Sequence, residues 1–496
     1  MEKSIFRKLK EYNELDYYPF HMPGHKRNMG GYELEDSYHI DITEIEDFDN
    51  LHHAEGILQE AMQRAARLYK SEETHFLVNG STCGILSAIS GTVKKRGKIL
   101  LARNCHKAAY NAVFLRELQP VYVYPEMEEE YAIAGEIKPE EVARALEENE
   151  AIEAVFITSP TYDGIVSDVK EIAKIAHNRN IPLIVDEAHG AHFGFHKDFP
   201  ENSVSLGADI VIHSVHKTLP AFTQTALIHM NGRIIDRDSV NRFLSIYQTS
   251  SPSYILMAGI DSCISIVDKE GNRLLTELSN RIDSFLFACK ELKYIKIFVN
   301  EGQAKKVFNF DKSKLLISVK DTTINGKQLY DILLKKYHLQ MEMEAATYVI
   351  AITSMMDTED GFERLAKALK EIDHKIKEEL EKKDNNQERI QSSIHNAPQE
   401  KTQGNMECGK DNNESEKELR ISDLEDSEKQ KVLFTDSIGK ITAEFVYLYP
   451  PGIPILVPGE VITEFKYKVI ESYKKQGFRV QGPKDYSLKT IKVKKS

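Results

Sequence analysis

The sequence predicts an α/β protein with a mainly parallel sheet that is covered by helices on both faces. Between residues 74 and 230, short apolar runs alternate with longer segments in which apolar residues recur at helical spacing. Repeated strand–helix units of this kind are typical of parallel sheets. Ligands of such sheets bind at the carboxyl ends of the strands, so polar residues that follow a strand are candidate site residues.

The elements of this sheet can be assigned in chain order. Strands are predicted at 74–78, 99–102, 121–124, 154–158, 183–186, 210–213 and 226–230. Helices are predicted at 54–69, 85–93, 107–118, 139–148 and 168–178. A long helical stretch at 258–281 should then lead into a smaller α+β domain, with strands around 295–299, 315–319 and 348–352.

Composition divides the chain further. Residues 382–431 contain no Phe, Tyr or Trp and are rich in Asn, Gln, Glu, Lys and Ser. Such a segment cannot bury enough apolar surface to offset its ordering entropy, so we expect a disordered polar insertion. The N-terminal segment at 1–53, which should contribute to the active-site region, opens with a predicted short helix at 1–18. The predicted divisions that follow are a large ligand-binding domain at 54–257, the linking helix and small domain at 258–381, the insertion at 382–431 and a C-terminal region at 432–496.

The overall composition excludes several classes of protein. Hydrophobic residues make up 41% and charged residues 29%, which is ordinary for a globular protein. The net charge of -12 argues against a general nucleic-acid binder and is compatible with a small cationic substrate. The five cysteines are scattered without metal-ligand spacing, and no apolar run suits a signal peptide or a membrane span. These features predict a cytoplasmic protein with no membrane, nucleic-acid or metal partner.

Two polar residues follow neighbouring predicted strands. Asp186 ends the run IPLIVD, and Lys217 lies in SVHKT, directly after the run DIVIH. A lysine between a strand end and an apolar loop is partly desolvated, which lowers its pKa and makes the amine a better nucleophile. Lysine can form a Schiff base with an aldehyde, and aspartate can keep a ring nitrogen protonated. The pair predicts a site for pyridoxal phosphate (PLP) and leaves the reaction open.

Two further segments follow strands in the same way. The turn NGSTCG at 79–84 offers backbone N–H groups and the positive end of a helix dipole to a phosphate, although its Ser81 and Thr82 are also ordinary N-cap residues. His106 could stack on a flat ring or cap a helix. Together with Asp186, His189 and His192 could suggest a metal site, but no comparable ligand cluster accompanies them.

The segments that carry chemistry occur in the order found in one family. They are HMPGHK (21–26), NGST (79–82), RNCHK (103–107), DEAHG (186–190), SVHKT (214–218), QTSSPSY (248–254) and YPPGIP with PGE (449–454 and 458–460). With these motifs the chain resembles the PLP-dependent ornithine/lysine/arginine decarboxylases of fold type I, in their shorter bacterial form. The resemblance covers nearly the whole chain outside 382–431. It implies a PLP-dependent transferase-like fold with a mainly parallel sheet of the seven-stranded type and a smaller α+β C-terminal domain.

The resemblance also implies roles for individual residues around PLP. Lys217 would form the Schiff base, Asp186 would pair with the pyridine nitrogen, and His106 would stack on the ring. His189 would lie near the ring oxygen or the substrate. The implied phosphate contacts are Ser81, Thr82, Ser214 and His216.

Other implied roles concern the substrate and a second subunit. Glu460 would face the distal cation of the substrate, and His25 would also bind substrate. Thr249, Ser250 and Ser251 resemble the segment that the family sends into its neighbour's site. A homodimer with shared active sites is therefore implied, with room for a higher oligomer.

The implied reaction is α-decarboxylation of a basic amino acid in polyamine synthesis. Arginine, giving agmatine, is the first choice of substrate, followed by lysine, giving cadaverine, and ornithine, giving putrescine. Either Lys217 or a histidine would return the proton to Cα. Two other classes stay open: a PLP-dependent aminotransferase or carbon–sulfur lyase, which would use the same pair of residues, and a non-catalytic regulatory paralogue, against which the intact Lys217 argues.

Overall fold

The computed structural model describes residues 18–20, 24, 26, 42–44, 48–128, 130–299, 307–391, 419–448 and 452–495. In chain order its strands are β1 Tyr18–Phe20, β2 Glu73–Leu77, β3 Lys98–Ala102, β4 Gln119–Val123, β5 Met127–Glu128, β6 Ile133–Ala134, β7 Ile152–Thr158, β8 Ile165–Val166, β9 Leu183–Asp186, β10 Ile210–His213, β11 Ala226–Met230, β12 Lys296–Ile297, β13 Asn309–Phe310, β14 Lys314–Ser318, β15 Leu339–Met341, β16 Met343–Glu344, β17 Tyr348–Ile352, β18 Lys429–Leu433, β19 Val446–Leu448, β20 Pro454–Leu456, β21 Val480–Gln481 and β22 Thr490–Lys494.

The α-helices are α1 Ile57–Tyr69, α2 Gly80–Thr92, α3 Lys107–Arg116, α4 Pro139–Glu148, α5 Val169–His177, α6 Val215–Thr218, α7 Arg237–Tyr247, α8 Tyr254–Cys289, α9 Gly326–Tyr337, α10 Glu359–Gln391 and α11 Glu464–Lys475. Short 3-10 helices lie at Leu51–His53, Ile421–Leu424 and Phe434–Asp436. Among the described helices, none combines the length and the apolar character needed to cross a membrane.

A seven-stranded sheet in the order β2-β11-β10-β9-β7-β3-β4 forms the centre of the large domain. The pairs from β10 to β4 are all parallel, and β11 runs antiparallel to both of its neighbours. The predicted α/β fold with a mainly parallel sheet is therefore confirmed. The register places Asp186 of β9 opposite Thr158 of β7 and Ile212 of β10, so these three strands end at one edge of the sheet.

Helices cover both faces of this sheet because alternate residues of a strand point to opposite sides. Ile184 and Ile212 pack in one core with residues of α2, α3 and α7, while Val185 and Val211 pack in another with residues of α4 and α5. All four side chains are fully buried. Strands that are buried on both faces have continuous apolar runs, which is why their positions could be predicted from the sequence.

The long helix α8 connects the large and small domains. It spans 36 residues from Tyr254 and is capped by Ser253, whose side chain accepts a hydrogen bond from the Leu256 N–H. The predicted domain boundary between 257 and 258 therefore lies inside a continuous helix, one turn after its start. The small domain contains a four-stranded antiparallel sheet in the order β12-β14-β17-β16, together with α9 and α10.

Described secondary structure extends into both ends of the predicted insertion at 382–431. Helix α10 continues to Gln391, because Glu, Lys and Gln are good helix formers even where no apolar face is present. The described chain resumes at Leu419, where Ile421 and Leu424 are buried and β18 follows. The prediction relied on the absence of aromatic residues and did not consider these two aliphatic residues, which are buried. Residues 392–418 lie outside the described residues.

The C-terminal region forms a core of its own. It combines the three-stranded sheet β20-β19-β21, the pair β18-β22 and helix α11. Its buried apolar residues include Phe434, Val446, Leu456, Ile470 and Val493. This region packs beside the large domain and supplies residues to the loop after β3, as described below.

Only part of the predicted N-terminal segment 1–53 is described, and the helix predicted at 1–18 lies outside the described residues except for Tyr18. Strand β1 pairs in parallel with β15. The Gly24 N–H donates a hydrogen bond to the His216 carbonyl at 2.7 Å. A Cβ on Gly24 would lie 2.6 Å from the Leu219 carbonyl oxygen, so only glycine fits. The segment therefore lies directly against the residues on either side of Lys217.

Candidate active site

Lys217 lies in the short helix α6, directly after β10, where the sequence predicts it. Its Nζ is 2.9 Å from Nε2 of His189, which follows β9. Burial lowers the pKa of Lys217, although the charges of Asp186 and Glu342 act in the opposite direction. A neutral amine is the form that attacks an aldehyde, so these surroundings favour the nucleophilic chemistry expected of the lysine.

His189 is held between the lysine and an aromatic ring. Its ring meets Tyr162 edge-on, with 4.6 Å between the ring centres. Burial, followed by the charge of Lys217, lowers the pKa of His189 well below its usual value. The imidazole is therefore neutral, and it can exchange a proton with Nζ over the 2.9 Å contact.

Asp186 ends β9 at the same edge and is only 3% exposed. Its Oδ1 accepts a hydrogen bond from the Ala188 N–H at 3.1 Å, which orients the carboxylate. Burial raises the pKa of Asp186, and the charge of Lys217 lowers it. A buried carboxylate in these surroundings would be stabilised as an anion by a cation at the same edge of the sheet.

His106 is the N-cap of α3, so the helix-capping alternative describes one of its nitrogens. Its Nδ1 accepts a hydrogen bond from the Ala108 N–H at 3.2 Å, which leaves the proton on Nε2. Burial and the nearby charge of Lys217 lower the pKa of His106 to about 3. A neutral ring fixed in this way is suited to stacking on a flat ligand, and that role stays a prediction.

The predicted phosphate turn leads into α2. Gly80 has a φ of +73°, a conformation that glycine adopts without strain. Ser81 and Thr82 lie in the first helical turn, where backbone N–H groups have no acceptor within the helix. The turn is therefore suited to binding an anion.

Ser214 and His216 lie on either side of the start of α6. The buried Oγ of Ser214 has no hydrogen-bond partner among the described residues. His216 Nδ1–H donates to the Thr225 carbonyl at 2.7 Å, which leaves a lone pair on Nε2. Burial lowers the pKa of His216 to about 4. As a phosphate ligand His216 would need a second proton, which a neighbouring dianion favours.

Several buried polar atoms at this edge have no hydrogen-bond partner within the described part of the chain. They are Asn104 Oδ1, Thr158 Oγ1, His189 Nδ1 and Ser214 Oγ. Each belongs to a residue at or just after the end of β3, β7, β9 or β10. Because buried polar atoms are nearly always paired in folded proteins, this group fits a polar ligand that supplies their partners.

Thr249, Ser250 and Ser251 follow α7 and are exposed on this chain. The Thr249 N–H donates to Asn79 Oδ1 at 3.2 Å, which places the segment beside the phosphate turn. The Thr249 carbonyl lies 2.8 Å from His52 Nε2. The contact with a second subunit stays a prediction.

Glu460 is paired with cations of its own chain, and its predicted contact with the substrate cation stays a prediction. Its carboxylate is 4% exposed and forms ion pairs with Arg103 at 3.0 Å and Lys466 at 3.2 Å. Burial opposes ionisation, but these two cations keep the pKa of Glu460 below its usual value. Two cations of the same chain therefore compensate the charge of this carboxylate.

Two histidines named in the sequence need a separate account. The Nε2 of His192 lies 3.1 Å from Asp311 Oδ1 of the small domain. His25, predicted to bind substrate, lies outside the described residues.

Three residues near Lys217 were missed. Tyr162 follows β7 and donates a hydrogen bond to Glu342, and Lys314 begins β14. Tyr162 could have been found by the rule that revealed Asp186, since it too follows a strand of the sheet. Glu342 and Lys314 come from the small domain, where no such rule applies.

Fold and site together define an α/β protein that has a desolvated lysine and a buried aspartate at the strand ends of its central sheet. The family profile described as "Orn/Lys/Arg decarboxylase, major domain" matches residues 3–332, and that of the C-terminal domain matches 415–476. The chain belongs to this family, which confirms the resemblance and the predicted enzyme class, an amino acid decarboxylase.

Relatives cover the chain almost completely. It is 30% identical to an arginine decarboxylase of Bacillus anthracis, over 99% of this chain and 97% of that protein. It is 29% identical to an arginine decarboxylase of Bacillus subtilis, over 99% and 98%. The solved lysine decarboxylase A from Pseudomonas aeruginosa shares the fold with a TM-score of 0.70 and 19% identity, over 99% of this chain and 80% of that one. The constitutive lysine decarboxylase of E. coli gives a TM-score of 0.67 and 17% identity, over 88% and 72%.

Proposed function

We propose that the protein binds PLP at the Lys217 site and removes the α-carboxyl group of a basic amino acid, with arginine as the first candidate. The observation that carries this proposal is the contact of Lys217 with His189 beside the buried Asp186, in a chain of the Orn/Lys/Arg decarboxylase family. Arginine precedes lysine because the relatives named arginine decarboxylase match over 99% of the chain, whereas one named lysine decarboxylase, from Pseudomonas aeruginosa, matches over 55%.

The residues present fit PLP. The amine of Lys217 would hold its aldehyde carbon, and Asp186 its ring nitrogen. Ser81, Thr82, Ser214 and, when protonated, His216 offer donors to its phosphate, while His106 offers a ring for stacking. The unpartnered atoms at the sheet edge support this assignment, because a bound polar group would give them hydrogen-bond partners. When bound, PLP supplies an electron sink for the pair left by the departing carbon dioxide.

The chain's own residues would orient the substrate and move protons. Asp186 keeps negative charge at the strand end, where it stabilises a protonated ring nitrogen. Lys217 Nζ and His189 Nε2 lie 2.9 Å apart and can share a proton. This proton would be close to the carbon that Lys217 attacks. Either group can return that proton to the substrate Cα. His106 excludes water from one side of the site.

A homodimer with shared active sites, a cytoplasmic location and a part in polyamine synthesis complete the proposal. The exposed Thr249–Ser251 segment beside the Asn79 turn supports sharing, since a neighbour could reach both. Mixing Lys217→Ala subunits with Thr249→Ala subunits tests it. Mixed dimers should partly recover activity if each site takes residues from both chains, and no recovery would contradict sharing.

A substrate screen tests the activity. The protein, loaded with PLP, is given carboxyl-labelled arginine, lysine and ornithine in turn, and labelled carbon dioxide and the amine product are measured. Release is expected from arginine, with agmatine as product. Release from none of the three would contradict the proposal. Amino transfer to an oxo acid would indicate an aminotransferase, cleavage of a cysteine thioether would indicate a carbon–sulfur lyase, and failure to develop a visible PLP band would indicate a non-catalytic paralogue.

A further inference from the structure

A line of buried hydrogen bonds leads away from the Asp186 strand end and has no part in the chemistry described so far. Glu187 Oε2 lies 2.7 Å from His213 Nε2, and His213 Nδ1 lies 3.0 Å from His229 Nε2. His229 Nδ1 then lies 2.8 Å from Thr74 Oγ1. These four residues are between 0% and 4% exposed. Burying so many polar groups is costly unless each is paired, as each is in this line.

The line crosses four adjacent strands. Glu187 directly follows β9, His213 ends β10, His229 belongs to β11 and Thr74 to β2. These strands are consecutive neighbours in the sheet, and the register sets His229 opposite Thr74. The bonds therefore connect strands through side chains, in addition to the backbone ladder.

The position of the innermost bond bears on the cofactor site. Glu187 is the residue after Asp186, and His213 is the residue before Ser214 in the segment that leads to Lys217. The Glu187–His213 bond thus joins the two strand ends that carry the proposed ring-nitrogen partner and the proposed covalent lysine. A shift between these strand ends would move Asp186 relative to Lys217.

Neighbouring groups hold this bond in one geometry. The Ser203 hydroxyl donates to Glu187 Oε1 at 2.6 Å, and the Ser203 N–H reaches both carboxyl oxygens at 3.1 and 3.2 Å. Tyr69 packs against both histidines, with ring centres 4.8 Å from His213 and 4.6 Å from His229. The Tyr69 hydroxyl itself donates to the Ala191 carbonyl at 2.7 Å.

The bond carries no net charge near neutral pH. Burial raises the pKa of Glu187 to about 8 and lowers that of His213 to about 3. The Glu187 acid then donates to His213 Nε2, His213 Nδ1–H donates to His229, and His229 Nδ1–H donates to Thr74. All donors point the same way, so each group in the line is satisfied without placing a second charge next to Asp186.

We propose that Glu187 and His213 are positioning residues, whose hydrogen bond fixes Asp186 relative to Lys217 so that both contact one cofactor. This role rests on the proposed function, because PLP is what the two residues would share. His229 and Thr74 support the bond from outside without contacting Glu187.

Two variants with similar expected losses of stability distinguish a positioning role from ordinary core packing. His213→Phe and His229→Phe both remove a fully buried imidazole that packs on Tyr69, and both break the His213–His229 bond. Only His213→Phe leaves Glu187 without its histidine partner. The measurements are the Tm of the PLP-free protein, the Kd of PLP from its visible absorption, and the pH midpoint of that absorption.

We expect similar losses of Tm in the two variants. The Kd of PLP should rise about tenfold in His213→Phe and less than about twofold in His229→Phe, on the scale of one lost hydrogen bond. The pH midpoint of the absorption should move only in His213→Phe. As a second pair, Glu187→Gln should retain most of the PLP affinity, because its amide can still bond Ser203 and His213, whereas Glu187→Ala should lose it.

Equal changes of Kd and pH midpoint in the two histidine variants, in proportion to Tm, would overturn the positioning role. Wild-type affinity in Glu187→Ala would do the same, and it settles the question if His213→Phe does not fold. A wild-type protein that shows no visible PLP band would overturn the proposed function instead, and the positioning role with it.

Discussion

Two groups of buried charged and polar side chains lie at the edge of the large domain, and they differ in how their charges are balanced. In the first group, around Lys217, the amine, His189 and Asp186 are desolvated, and polar atoms of Ser214 and Asn104 have no partner among the described residues. In the second, the carboxylate of Glu460 has two cations and the Val457 N–H at 3.0 Å.

The difference separates a binding site from a structural ion pair. A buried charge that is fully compensated stabilises one arrangement of the chain and has little left to offer a ligand. A buried group that is incompletely paired is held at a cost, which a ligand can offset when it binds. Substitutions in the first group should therefore affect chemistry, and substitutions in the second should affect folding.

The largest effect should follow loss of the lysine. Lys217→Ala removes the proposed covalent attachment of PLP, so the visible absorption of bound PLP should disappear and kcat should fall by at least about a thousandfold. Absorption spectra and carbon dioxide release measure this. Lys174→Ala, at an exposed lysine of α5, is the control and should leave both unchanged. Full turnover in Lys217→Ala would refute the assignment of the lysine.

Substitution of Glu460, in the compensated group, should lower the stability of the protein. Glu460→Leu leaves the buried Arg103 and Lys466 without their shared anion, so the free energy of unfolding should fall by about 3–5 kcal/mol. Denaturant titration measures the loss. The control is Glu464→Ala, which removes an exposed ion pair between Glu464 and Lys468 within helix α11. It should leave the free energy of unfolding unchanged within error. If Glu460→Leu kept its stability and lost only substrate affinity, the predicted contact of Glu460 with the substrate cation would be supported instead.

A milder effect should separate the aspartate from the lysine. In Asp186→Ala, Lys217 still holds PLP, but the ring nitrogen loses its anionic partner, so kcat should fall about a hundredfold while PLP stays bound. Steady-state kinetics with absorption spectra on the same samples test this. Asp168→Ala, which removes the N-cap of α5, should cost about 1 kcal/mol in stability and leave kcat unchanged. Equal kcat in the two variants would contradict the role of Asp186.

The smallest effect, on stability at acidic pH, concerns the half-buried pair of Glu73 and His75. Glu73 Oε1 lies 2.6 Å from His75 Nε2, and this hydrogen bond is the largest cause that lowers the pKa of Glu73 to about 2 from its usual 4.5. Because the folded pKa is depressed, the stabilisation is present above about pH 4.5 and is lost as the pH falls towards 2. Solvent screening limits it to about 1 kcal/mol. In Glu73→Gln, the free energy of unfolding should fall less steeply as the pH drops from 4.5 towards 2. An unchanged slope would contradict a stabilising role for the Glu73–His75 pair.

The sequence predicted the parts of the site that follow strands of the central sheet. Lys217, Asp186 and His106 were found because each lies within four residues of the end of an apolar run, and the register of parallel strands brings such ends together. The seven-stranded sheet itself could be predicted for the same reason, since strands buried on both faces are apolar throughout.

Pairings between distant segments could not be predicted. The ion pairs of Glu460 were not foreseen, because a motif does not show whether its carboxylate has a partner and because Arg103 lies 357 residues away in the chain. The line from Glu187 to Thr74 was missed because its histidines lie inside apolar strands, where the direction of each side chain and its partner depend on register. The end of helix α10 was missed because polar composition alone does not distinguish a solvated helix from a disordered segment.

Helix α8 has a consequence for how the protein unfolds. It is about 54 Å long, and its buried face belongs to one apolar core that also contains Leu58 of α1, Ile317 of the small domain and Phe362 of α10. The two domains therefore share their interior. Truncation at residue 257 would cut this helix after its first turn and expose the apolar surface that α1 presents to it, so the isolated large domain should aggregate instead of folding. In the intact chain, heat should melt both domains in a single cooperative transition, and binding of a ligand by one should stabilise both.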